Sequence, residues 1–62
     1  MSEGPQLSSI ASALRELTDR LSGIAETMTG ADREDVATSL FEVERSLVTA
    51  SRRLEEVLRV LR

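Results

Sequence analysis

Arg45, Arg52 and Arg59 stand seven residues apart. On a helix that spacing sets three guanidinium groups on one face, with Arg53 and Arg62 close by. Such a strip could hold an acidic partner or a small anionic ligand such as a nucleotide. A solvated face explains it more simply. Arg52–Glu56, Glu55–Arg59 and Glu42–Arg45 would be helical neighbours, and such pairs contribute about 0.2–0.5 kcal/mol each. Arg15–Asp19 and Glu16–Arg20 repeat the pattern earlier in the chain.

Other chemistry is scarce. The 62 residues include no His, Cys, Lys or Tyr, so the common general bases and activated nucleophiles are missing. The Ser and Thr hydroxyls have no base beside them. Glu16, Asp19, Glu26, Glu42, Glu55 and Glu56 fall at outward positions of the pattern described below. A carboxylate-bridged metal site in a bundle needs inward Glu and a Glu-x-x-His motif, and neither is present. Asp32, Glu34 and Asp35 suit a helix start better than a calcium loop. The expectation is a non-enzyme with no cofactor and no metal.

Bulk properties narrow the partners. A net charge of −3 argues against nucleic acid, which selects a basic surface. No apolar run reaches 18 residues, so no membrane span is expected. Met1-Ser2-Glu3-Gly4-Pro5 has neither the basic region nor the apolar core of a secretory signal, which leaves a cytoplasmic address as the expectation. All eight basic residues are Arg, a bias that a GC-rich genome explains without function.

The strongest pattern is hydrophobic. Seven pairs have numbers adding up to 64: Met28/Val36, Ile24/Leu40, Leu21/Val43, Leu17/Leu47, Leu14/Ala50, Ile10/Leu54 and Leu7/Val57. On each side of residue 32 the spacing alternates three and four, a coiled-coil seam. A constant sum brings two antiparallel seams together layer by layer when the chain turns back at its middle. The predicted fold is all-α: an antiparallel two-helix hairpin with a heptad seam, dimerising into a four-helix bundle.

Residues 1–4 read as a tail. Helix one is expected over 5–28, with Pro5 in the first turn. A turn follows at 29–32, with Gly30 in the left-handed conformation. Asp32 would cap helix two, expected over 33–61 with Glu34 and Asp35 in its first turn. That helix would be the longer, leaving Leu58, Val60 and Leu61 beyond the start of helix one. One continuous helix with the seams paired between chains is the competing arrangement. Gly30 and the capping residues argue against it. The turn Met28-Thr29-Gly30 departs from the Trp-x-Gly turn of the small secreted hairpins of type VII secretion systems, and with no Trp in the chain that family is not assigned.

With Leu7 and Leu40 at heptad position a, the e positions are mostly small. They pair as Ala25/Ala37, Thr18/Glu44 and Ala11/Ser51, again with a constant sum. Phe41 and Val48 stand beside them at b. The expected docking face is therefore Ala11, Thr18, Ala25, Ala37, Phe41, Val48, Ser51 and Leu58, with Glu44 at its wet edge. The other flank pairs Thr27/Ser39, Arg20/Ser46, Ala13/Arg53 and Gln6/Val60 and is more polar.

A single hairpin of this length buries little, and cores below about 70–80 residues rarely supply more than about 3–5 kcal/mol. More apolar surface has to be covered by something. The expected function is a protein–protein interaction module: an adaptor, scaffold or small regulatory subunit, most simply a homodimer, or bound to a larger protein. The alternative is a regulatory switch that takes a small anionic ligand or acidic partner on Arg45, Arg52 and Arg59.

Overall fold

The computed structural model describes residues 3–61. Residues 1 and 2 of the expected tail, and Arg62, lie outside them. Two helices, α1 (Glu3–Gly30) and α2 (Glu34–Leu61), pack against each other as an antiparallel hairpin. Among the described residues there is no strand.

The helix limits differ from expectation at both ends of α1. It starts at Glu3, so Pro5 is its third residue. The first four N–H groups of a helix have no intrahelical partner, and Pro at that place forfeits no bond. At the other end α1 continues through Gly30. Both helices have 28 residues. The expected overhang is absent: Leu58 is buried, and Val60 and Leu61 are exposed at the end of a helix no longer than its neighbour.

The turn is built on Asp32 rather than Gly30. Asp32 has φ 63°, and no glycine of the chain has positive φ. The Arg33 N–H donates to the Met28 carbonyl at 2.8 Å and the Asp32 N–H to the Thr29 carbonyl at 3.2 Å. This pair of bonds is a Schellman closure, with Asp32 at the position that Gly usually takes. Asp tolerates the left-handed region better than most residues with a Cβ. The first bond of α2 runs from the Ala37 N–H to the Arg33 carbonyl at 3.0 Å, so Arg33, not Asp32, is the residue before the helix.

Arg33 has no side-chain acceptor with which to cap. Its Nε instead donates to Asp35 Oδ1 at 3.3 Å. That guanidinium, followed by the Val36 backbone N–H, holds the Asp35 carboxyl below its ordinary value. The positive end of the helix favours the same ionised form.

The hairpin is flat. Its Cα atoms span 48 × 15 × 10 Å, a layer one helix thick. Among the described residues no side chain larger than Ala is fully covered.

Candidate interaction face

Every e position lies against the other helix. Ala11, Thr18 and Ala25 of α1 and Ala37 and Leu58 of α2 are buried, Ala25 completely, and Glu44 and Ser51 are partly covered. Small side chains at a helix contact permit the short end of the usual interaxial range, roughly 8–10 Å. Thr18 is the one buried polar side chain among the described residues, and its Oγ1 donates to the Leu14 carbonyl at 2.7 Å. Burying it therefore leaves no hydroxyl without a partner.

This corrects the expected docking face. Ala11, Thr18, Ala25, Ala37 and Leu58 form the inside of the hairpin and are closed to a partner while it stands. Ser51 lies at the edge of the same contact. Phe41 and Val48 remain on the surface, 39% and 37% exposed. The physical reason is geometric. Positions a and e lie about 40° apart on a helix, a and d about 60°. Two helices in close approach through small e residues rotate the d residues outwards.

The displaced residues make the open face. Leu7, Leu14, Leu21 and Met28 of α1, and Leu40, Leu47 and Leu54 of α2, are half-buried at a. At d, Ile10, Leu17 and Ile24 are 54%, 53% and 51% exposed, and Val43 and Val57 are nearly so. In an antiparallel pair, equal heptad positions of the two helices fall on the same side. The a and d residues thus form one aliphatic field along the hairpin. The seam is heptad-spaced as expected, but it closes at a and e, with half of the a/d set left facing water.

The reverse side is different. There Arg15 of α1 forms an ion pair with Glu55 of α2 and reaches Ser12 Oγ at 3.4 Å. A shallow cleft beside it is lined by Arg15, Thr18, Asp19, Val48 and Ser51. Among the described residues the ion pairs are Arg15–Glu55 and Arg33–Asp35, and the expected same-helix pairs do not form. Glu55 turns across to α1 instead of along to Arg59.

Arg45, Arg52 and Arg59 are exposed, at heptad positions directed away from α1. Neither the cleft at Arg15 nor a second one at the end of α2, lined by Arg53, Glu56, Val57, Val60 and Leu61, includes them. No three His, Cys, Asp or Glu side chains come together as a metal site among the described residues. No described helix is long and apolar enough to cross a membrane.

The small residues at e were visible in the sequence, and so was their pairing. The signal for placing them inside is that Ala11, Thr18 and Ala25 recur every seven residues on α1 and pair with Ser51, Glu44 and Ala37 of α2 at one constant sum.

No protein family, curated protein or solved structure gives a match to this chain.

Proposed function

We propose that the chain is a non-catalytic protein–protein interaction module, an adaptor, scaffold or small regulatory subunit, working by helix packing. The observation that carries this reading is the a/d field with Ile10, Leu17 and Ile24 each more than half exposed. Contiguous apolar surface of this kind on a small chain marks an interaction site. The field is lined along α1 and α2 by apolar side chains, aliphatic except for Met28, which recognise shape and not charge. Its flanks carry Ser, Thr and Arg, the polar rim of an interface. A cytoplasmic address belongs to the same proposal.

The switch reading has less support. Arg45, Arg52 and Arg59 stand exposed in a row, and no described cleft gathers them around a ligand. The test is affinity capture from the native cell with three baits: the parent, Leu17→Glu and Arg52→Glu. Loss of the captured protein with Leu17→Glu alone supports the packing module. Loss with Arg52→Glu alone transfers the function to the Arg strip and overturns it.

A further inference from the structure

We infer that the occupant of the a/d face is a second copy of this chain, joined face to face as an isologous four-helix bundle. The inference rests on the packing reading above and names its partner.

Area is the first argument. The chain exposes 4737 Å². A folded monomer of 6.8 kDa is expected to expose about 4,000 Å². The excess of roughly 700 Å² is close to the share of about 800 Å² that each partner buries in a standard interface. The hairpin is also a single layer 10 Å thick, whereas stable domains are built from two packed layers. One more copy supplies the second layer.

Symmetry is the second argument. The two helices are antiparallel and equal in length. A two-fold axis normal to the face therefore carries the a/d row of α1 onto that of α2, residue i onto residue i + 33, Leu7 onto Leu40, Leu14 onto Leu47 and Leu21 onto Leu54. A surface with that internal symmetry presents the same row spacing to a copy of itself, which favours the self-complementary contact of an isologous dimer. The middle of the field holds no charge that a self-contact would place against its like. Charges begin at the rim, where Arg20 and Arg53 stand beside Glu16, Glu42 and Glu56, both signs together.

The test is sedimentation equilibrium of the whole chain with thermal unfolding at the same concentrations. The parent should sediment at twice 6.8 kDa at micromolar concentration, and its melting temperature should climb across a hundredfold concentration range. Leu17→Glu should weaken the dimer by about thirtyfold or more, a hot-spot loss. Val48→Asp on the reverse side is the control. Its carboxylate would share the cleft with Arg15, and it should stay dimeric. Loss of the dimer in Leu17→Glu with retention in Val48→Asp supports the inference, whether or not the released monomer keeps its helices. A folded parent that stays monomeric, with a constant melting temperature, overturns it. So does a dimer that ignores Leu17→Glu or is lost in Val48→Asp. A monomeric parent that binds a different purified protein through Leu17 overturns the second copy and leaves the packing module standing. Failure of both Leu17-dependent contacts would end the module as well.

Discussion

The two broad sides of this hairpin have the same length and backbone and opposite contents. One side carries Ile10, Leu17, Ile24, Val43 and Val57 with no charge between them. The other carries the Arg15–Glu55 ion pair, Ser8 and Ser22, with Phe41 and Val48 as its large apolar groups. The difference shows how little decides which surface of a helix becomes interior. Both sides flank one wall of small residues, and that wall lets the helices come close and leaves the larger aliphatic groups outside. The reverse side is finished with its own cross-helix ion pair. The a/d side is not.

The largest effect expected from breaking this comparison is at Leu17. In an assembled bundle Leu17→Ala removes a core side chain and should cost about 2–5 kcal/mol. In a hairpin acting alone Leu17 is already 53% exposed, and the loss should stay near 1 kcal/mol. Thermal melts followed by circular dichroism at two concentrations separate the cases.

The wall itself comes next. Ala25 has no exposed surface, so Ala25→Leu must push the helices apart, at about 1–3 kcal/mol. An unchanged melting temperature would mean that the helices do not meet at e.

Gly30 sharpens the account from the stabilising direction. It is helical, and a Cβ built there meets nothing within 4 Å. Gly30→Ala should therefore stabilise by about 0.4–1 kcal/mol. If Gly30 instead took a left-handed cap, the substitution would destabilise.

On the polar side, Arg15→Gln should cost less than about 1 kcal/mol, because both partners are substantially exposed. The cost should vanish in about 1 M salt, where screening is nearly complete. Persistence at high salt would assign Arg15 a packing role instead.

The smallest effect is at the turn. Asp35 is held below the ordinary carboxylate value by Arg33 first and the Val36 N–H second. A lowered folded value gives a contribution that is complete above the unfolded value of about 3.9. The contribution is lost as pH falls through the folded value. Asp35→Asn should flatten that part of the acid limb in urea melts between about pH 5 and pH 2. Parallel curves for the two proteins would remove Asp35 from the acid response.

The hairpin was legible in the sequence because two heptad rows with a constant sum admit one simple antiparallel arrangement. The choice of side was harder to read. Leu and Ile outrank Ala on any hydrophobic scale, so the a/d set looked like the inside. Closeness of approach, which a hydrophobic count does not register, favours Ala25 against Ala37. The turn was misread for a related reason. Gly30 is the expected left-handed residue, but the helix hydrogen bonds run on through it, and the reversal falls two residues later on Asp32. The Arg15–Glu55 pair joins residues forty apart, and local charge spacing could not reveal it.

The three residues between the helices also fix the chain's phase. The heptad does not continue evenly across them: position a falls at Met28 and next at Leu40, twelve residues on instead of a multiple of seven. If Asp32 relaxed to a right-handed conformation and the chain straightened into one rod, twelve steps of about 100° would turn the apolar stripe about 120° between its halves. Each half would then face a different direction, and no straight partner could cover both. Exchange of arms between copies through such a continuous rod, one hazard of short hinge turns, is disfavoured by that phase as well as by the turn.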